Sequence, residues 1–196
     1  MKKKIVLSAV AAVAALTAGT TVASAQQFTW GPKAGMNVST MSHTKQDAKV
    51  SFTAGLFGEL RTNDWFAVSA EVLYSRQGVM DKWTQNDITT KYRLKTHYVN
   101  VPVLANFYVT DRLALKTGVQ AGFNVGAREI EKVGNTTYKR DVGDRFHTAE
   151  VAIPVGISYD FGPVVLDARY NFGVSHAMKE GSYRNNVFQL TAGIRV

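Results

Sequence analysis

The stretch YVNVPVLANFYVTDRLALKTGVQAGFNV, residues 98–125, contains two runs of alternating apolar and polar side chains, separated by one polar break. The apolar positions of the two runs are Val99, Val101, Val103, Ala105 and Phe107, then Leu113, Leu115, Val119, Ala121, Phe123 and Val125. A period of two indicates β-strands whose two faces meet different media. Because the break VTDR is short, the stretch predicts an antiparallel hairpin with one apolar and one polar face.

The same alternation occurs in six further segments, which gives eight predicted strands. The six segments are TWGPKAGMNVS (29–39), VSFTAGLFGEL (50–60), FAVSAEVLY (66–74), AEVAIPVGISYDF (149–161), VVLDARYNFGV (164–174) and FQLTAGIRV (188–196). Short connections (TNDW, VTDR and GP) alternate along the chain with long polar ones. An even strand number with short turns at one end and long loops at the other is typical of outer-membrane β-barrels.

The distribution of charge separates a membrane barrel from a soluble one. In a soluble barrel the apolar face points inward and the charges coat the outside, whereas here the apolar face of every strand is free of charge. The charges share the other face with Gly, Ser and Asn, and the proposed lumenal polar network is Lys33, Glu59, Arg61, Glu71, Lys116, Glu150, Asp167, Arg169 and Arg195. We therefore predict an all-β, eight-stranded antiparallel transmembrane up-and-down β-barrel in the cell outer membrane; a periplasmic β-sandwich is the alternative.

The first 25 residues have the three parts of a secretory signal peptide. Three lysines precede an apolar run, and Ala23-Ser24-Ala25 provides a small-residue cleavage site, so we expect a signal peptide over 1–25 and a barrel domain over 26–196. Without those lysines the formal net charge falls from +8 to +5. With no basic stripe in an exported chain, we expect no nucleic-acid partner. The chain has no cysteine, so disulfides do not stabilise it.

Several segments, WGPKAGMNVS, GLFGEL, HYVNVPVLANFY and LALKTGVQAGF, resemble the PorT-like small outer-membrane β-barrel family of Bacteroidota. The run YVNVP, followed by a short turn and LALKTG, carries most of this resemblance. It implies an architecture similar to OmpX and the membrane domain of OmpA, and it implies no catalytic residues. It also implies that the barrel-assembly machinery recognises the last strand, although Val196 replaces the frequent terminal aromatic residue.

Strand facing also predicts turn lengths and closure. Outward residues should pair with outward residues, which suits a two-residue loop between Phe161 and Val164. The same rule suits three-residue loops at Thr62–Asp64 and Val109–Asp111. We expect the last strand to pair with the first, with Phe188, Leu190, Ala192, Ile194 and Val196 towards lipid, because closure removes both sheet edges.

The sequence contains no cofactor-binding motif, and we expect no metal site and no catalytic residue. His147 and Glu150 are three apart on a predicted strand and face opposite sides, while Ser175 and His176 are adjacent and diverge. We interpret the lumenal charges as a neutralised filling, because an eight-stranded barrel is narrow enough for side chains to fill it. A polar pathway for small solutes is the other interpretation. A lipid-modifying enzyme is a minor alternative.

The long loops carry the remaining candidates. Possible contact residues are Lys82, Trp83, Arg93, Arg128, Lys132, Lys139 and Arg140. Acidic residues are interspersed among them, which favours plain solvated hairpins, turning near Gln85–Asp87 and at Gly134-Asn135. The basic residues could also contact outer-membrane lipid and lipopolysaccharide. We expect a non-enzymatic protein whose loops serve interaction, adhesion or envelope protection through an unknown extracellular or periplasmic partner; a narrow pore or secretion accessory is the alternative.

Overall fold

The computed structural model describes residues 27–41, 47–85, 88–133, 136–178 and 183–196. The predicted signal peptide lies outside these residues. The described residues form ten strands: β1 (Gln27–Met41), β2 (Asp47–Arg61), β3 (Phe66–Gln77), β4 (Val79–Gln85), β5 (Ile88–Tyr108), β6 (Leu113–Val133), β7 (Thr136–Asp141), β8 (Ala149–Phe161), β9 (Val164–Gly173) and β10 (Asn185–Ile194). A 3₁₀ turn spans Gly143–Arg145. Among the described residues no helix is long and apolar enough to cross a membrane.

Eight of the strands form a closed antiparallel ring, in the order β1, β2, β3, β5, β6, β8, β9, β10. The ring closes where β10 pairs with β1, with Leu190 opposite Met36 and Phe188 opposite Val38. The remaining strands, β4 and β7, lie outside the ring. Both the eight-stranded barrel and the pairing of the last strand with the first are therefore confirmed.

Side chains that alternate between apolar and polar along each strand also alternate between the outer surface and the lumen of the barrel. The apolar positions of each strand form an exposed outer band; Leu56, Val119 and Ile157, for example, are each about half exposed. The intervening positions point inward and are buried, as Asn37 and Asn106 are. A continuous band of exposed apolar side chains would be unfavourable in water, so this band is a surface for lipid. The prediction for β10 is confirmed, because Phe188, Leu190, Ala192 and Ile194 face outward while Gln189 and Gly193 are buried.

The short turns differ in part from the predicted lengths. Phe161 pairs with Val164 as predicted. The three-residue loops are wrong: Arg61 pairs with Ala67, and Tyr108 pairs with Ala114, so each loop is two residues longer.

Local side-chain hydrogen bonds explain these longer loops. Asn63 Oδ1 accepts from the backbone N–H groups of Trp65 and Phe66, and Thr110 Oγ1 accepts from those of Arg112 and Leu113. In such turns, hydrogen bonds to a side chain take the place of the last backbone hydrogen-bonded pair between the two strands. Each loop is longer by two residues, an even number, so the same residues of the flanking strands still face outward.

At the long-loop end, β5 and β6 continue beyond the ring and form a sheet with β4 and β7, in the order β4, β5, β6, β7. We call this four-stranded element the projecting sheet. Both predicted hairpins are confirmed by the pairing of β4 with β5 and of β6 with β7. The turn residues 86–87 and 134–135 lie outside the described residues.

A small apolar cluster lies at the base of the projecting sheet, on its inward face. It contains the buried side chains of Val79, Leu94, Ala127, Val142 and Phe146, with Met178 and Tyr183 packed against them. Backbone bonds join the contributing loops: His147 N–H donates to Ala177 O (3.0 Å) and Ala177 N–H to Tyr183 O (2.8 Å). We call this cluster the apolar cap, since it covers the long-loop end of the lumen.

Candidate functional site

The middle of the lumen holds a network of five buried charged side chains. Asp167 forms ion pairs with Lys33 (3.2 Å), Lys116 (3.1 Å) and Arg169 (2.7 Å). Glu71 forms ion pairs with Lys33 (2.8 Å) and Arg169 (2.7 Å). Because each carboxylate contacts at least two cations, charges that would be costly alone in a low dielectric are compensated. We call these five residues the middle network.

Local packing explains why Arg169 fits inside so narrow a barrel. Arg169 lies directly opposite Gly156, and Asp167 lies opposite Ser158, in the β8–β9 ladder. A Cβ at position 156 would lie 2.6 Å from Arg169 Cβ and 2.4 Å from Ala168 O. The glycine therefore leaves the space that the largest lumenal side chain occupies.

A second charged group lies nearer the short-turn end. Arg195 contacts Glu59 (3.2 Å) and Asp160 (2.8 Å). Tyr108 donates to Glu59 (2.8 Å), and Asn106 donates to the same carboxylate (2.9 Å). Together with the middle network this gives four cations and four carboxylates, so the described charged core of the lumen is electrically balanced.

Two of the predicted lumenal residues lie away from these ion pairs. The guanidinium of Arg61 stacks over the Tyr108 ring at 3.9 Å and donates to the carbonyl of Asp64, at the rim of the barrel. Glu150 lies higher, where Asn185 donates to it at 3.4 Å. The structure thus unites Lys33, Glu71, Lys116, Asp167 and Arg169, places Glu59 with Arg195, and leaves Arg61 and Glu150 apart.

Two lumenal features are additional to the predicted network. Asp160, which the predicted lumenal network does not include, pairs with Arg195. The lumen also contains a layer of buried side-chain amides between the middle network and the cap, formed by Asn37, Asn100, Gln120, Asn124, Asn171 and Gln189. The signal for both was present, since all these residues occupy inward positions of the alternating runs.

Lys49 is a further missed residue. It lies just before the predicted second strand (50–60), but it belongs to β2 and is buried at the long-loop end of that strand. Its Nζ donates to the carbonyls of Gln77 (2.9 Å) and Leu94 (3.0 Å). Burial, reinforced by nearby Arg76, Lys95 and Arg93, lowers the pKa of Lys49 to about 8.

Ser39 completes this contact. Its hydroxyl donates to Gly78 O (2.7 Å) and accepts from Gly78 N–H (3.0 Å). Gly78 has a φ of +132°, a conformation that side-chain-bearing residues rarely adopt, and it marks the break between β3 and β4. Lys49 and Ser39 together fasten the base of the projecting sheet to the barrel.

The charges of the projecting sheet are segregated by face, which corrects the expectation of interspersed charges. Strand register places one set of cations on the outer face: Lys91, Arg93, Lys95, Arg128, Lys132 and Lys139. Asp141 is the single acidic residue among the described positions of this face. Asp81, Glu129, Glu131 and Arg140 occupy the opposite face. We call the first surface the basic face; the side chains of Lys82 and Trp83 lie outside the described set.

The side chains of His97 and Ser175 form hydrogen bonds within the protein. His97 Nδ1 hydrogen-bonds the Tyr74 hydroxyl on the outer surface. Ser175 Oγ accepts from the backbone N–H of Val151. Among the described residues, no group of three or more His, Cys, Asp or Glu side chains is placed to hold a metal ion.

The fold, its apolar band and its filled lumen define an integral β-barrel membrane protein. The profile of the family described as outer membrane protein beta-barrel domain matches residues 24–179. The chain belongs to this family and is an outer-membrane protein with surface loops. No curated protein shows a significant sequence match.

Two solved structures have a similar fold. One is Ail, the attachment invasion locus protein of Yersinia pestis, with 14% identity and a TM-score of 0.52. The other is Neisserial surface protein A, with 14% identity and a TM-score of 0.53. In both comparisons the match covers 87% of this chain and 99% of the other. At this identity the likeness supports the fold alone.

Proposed function

We propose that this protein is a closed, non-enzymatic anchor that holds the projecting sheet above the outer membrane for contacts at the cell surface. The observation that carries the proposal is the middle network, in which five charged side chains from β1, β3, β6 and β9 meet inside the barrel. A filled lumen and a folded sheet outside it favour surface display over transport.

The narrow-pore alternative is disfavoured by successive obstructions along the lumen. From the short-turn end these are the Arg195 group, the middle network, the amide layer and the apolar cap. A cavity of about 10 Å³ lies between the first two and is lined by Ser69, Lys116 and Arg195, among others. This is room for about one water molecule, too little for a hydrated ion to pass.

Single-channel recording in planar bilayers tests the closed barrel. We expect no discrete conductance steps from the reconstituted protein, with correct insertion verified by heat-modifiable migration on a gel. As a matched comparison, a variant with Lys33, Glu71, Asp167 and Arg169 all replaced by Ser should also show no conductance steps, because the Arg195 group, the amide layer and the apolar cap still obstruct its lumen. Regular steps from the unmodified protein would refute the closed anchor and favour the pore.

We further propose that the basic face contacts lipopolysaccharide. This face begins directly above the lipid band, since Arg76 and His97 pair one step beyond Tyr74 and Val99 on the same outer surface. At this height, cations meet the anionic groups of the leaflet. Lys139→Glu should weaken binding of purified lipopolysaccharide, whereas Arg140→Glu, its neighbour on the opposite face, should not. Equal binding by Lys139→Glu and the unmodified protein would exclude the contact.

Three narrower assignments belong to the same proposal. The segments HYVNVPVLANFY and LALKTGVQAGF support placing the chain among the PorT-like barrels of Bacteroidota. A cleavable signal peptide over residues 1–25 and recognition of β10 by the barrel-assembly machinery complete the proposed route to the membrane. N-terminal sequencing of the protein purified from the outer membrane tests the cleavage site: a start at Gln26 supports it, and a start at Met1 contradicts it.

A further inference from the structure

The basic face contains like charges placed directly opposite one another. Lys91 on β5 lies directly opposite Lys132 on β6. The next row on the same face contains Arg93 and Lys139, on either side of Ile130. Like charges directly opposite in a sheet are destabilising, so this arrangement disfavours folding unless an anion compensates for it.

The protein itself provides little negative charge to compensate for the cations of the basic face. Lys91, Arg93, Arg128, Lys132 and Lys139 are exposed, and among the described side chains no carboxylate forms an ion pair with them. Asp141, the acid on this face, lies at its lower margin, where its Oδ1 accepts from the N–H of Gly143 (2.9 Å). The face therefore has a strong excess of positive charge directed outward.

The position of the basic face selects one source of anions. It is the upward continuation of the lipid-facing surface of β3, β5 and β6, so the nearest dense anions are phosphate groups of the leaflet in which the barrel sits. Those phosphates also bind divalent cations, which approach phosphate oxygens while keeping several waters. Lysine and arginine side chains on the protein and Mg²⁺ or Ca²⁺ would therefore compete for the same oxygens.

We propose that the basic face binds lipopolysaccharide phosphates in place of divalent cations, so that Mg²⁺ or Ca²⁺ regulates the contact. This inference rests on the lipopolysaccharide contact proposed above and adds its regulation. At low divalent concentration the protein cations neutralise neighbouring phosphates around the barrel. At high divalent concentration the metal ions displace them, and the projecting sheet is released from the leaflet surface.

The test measures binding of purified lipopolysaccharide to the protein in phosphatidylcholine nanodiscs, with and without Mg²⁺, at ionic strength matched with NaCl. Mg²⁺ should weaken binding several-fold more than NaCl does. The double variant Lys132→Gln/Lys139→Gln should bind more weakly, by about fivefold per cation removed, and should respond less to Mg²⁺. Arg140→Gln should match the unmodified protein. Dephosphorylated lipopolysaccharide should bind weakly under all conditions.

The possible failures can be distinguished. In one outcome, binding depends on phosphate and on Lys132 and Lys139 but responds equally to Mg²⁺ and to matched NaCl. That outcome overturns regulation by divalent cations and leaves the lipopolysaccharide contact standing. Equal weakening by Arg140→Gln overturns the assignment to the basic face. Absence of binding by the unmodified protein overturns the lipopolysaccharide contact and its regulation together.

Discussion

Arg169 and Glu71, 98 residues apart in the sequence, form a buried 2.7 Å ion pair at the centre of the barrel. The same guanidinium donates through Nε to Asp167. This one side chain therefore connects the two carboxylates of the middle network, and β3 is joined to β9 across the lumen.

Replacing Arg169 with Met should strongly destabilise the barrel. It removes a partner from both buried carboxylates, and breaking a buried pair in this way costs about 3–5 kcal/mol. Urea unfolding in lipid vesicles, followed by tryptophan fluorescence, measures the change. Arg61→Met is the matched control: this arginine lies at the rim, and losing its stacking on Tyr108 should cost about 1 kcal/mol or less. Equal losses from the two variants would contradict the account.

Gly156→Ala should impair folding because its new Cβ has no room. That atom would lie 2.4 Å from a backbone oxygen of β9 and 2.6 Å from the Cβ of Arg169. Gly126→Ala is the control, because a Cβ there meets nothing within 4 Å. We expect the midpoint of thermal unfolding to fall clearly for the first variant alone, measured by the loss of heat-modifiable migration. A Gly156→Ala barrel as stable as the control would show that this close approach is unimportant.

Lys49→Met should alter the pH dependence of stability. In the folded state the pKa of Lys49 is about 8, compared with 10.5 for an unperturbed lysine. Between these values the unfolded chain retains a proton that the folded chain has lost, so this group makes stability rise with pH through that window. The difference in unfolding free energy between the unmodified protein and Lys49→Met should therefore change from pH 8 to 10.5. A constant difference across the window contradicts this assignment.

Deleting residues 188–196 should prevent assembly, because β10 provides the partner for β1 and for β9. Without it, both neighbours would expose unpaired backbone groups within the lipid. The measurement is heat-modifiable migration of the deletion variant in outer-membrane fractions. A truncated chain that still migrates as a folded barrel would show that the closure is dispensable.

The barrel itself could be predicted because a period of two continues through every membrane strand, as in Val99–Phe107. The two longer turns could not, since one side chain in each, Asn63 or Thr110, forms bonds that alternation does not encode. The apolar cap was missed for a different reason. Val79, Leu94 and Phe146 come from separate segments and form a cluster only after the barrel has brought those segments together.

The separation of positive and negative charges between the two faces of the projecting sheet could have been predicted from the sequence, but it was not. Arg128, Ile130 and Lys132 alternate with Glu129 and Glu131, so the rule used for the membrane strands already separates them. The register shift between His97 and Tyr98 then aligns the even positions of β6 with the odd positions of β5. That alignment, which produces the rows of lysines, depends on a β-bulge that the sequence does not reveal.

The most direct test of the closed lumen is the reactivity of a single cysteine placed inside it. The chain has no cysteine of its own, and Thr191, opposite Asp167, is buried at the level of the middle network. In the folded barrel, Thr191→Cys should resist a charged thiol reagent that rapidly modifies Thr110→Cys in an exposed turn, and it should react fully after unfolding. Equal reaction rates of the two folded variants would show that the lumen is open and would contradict the closed anchor.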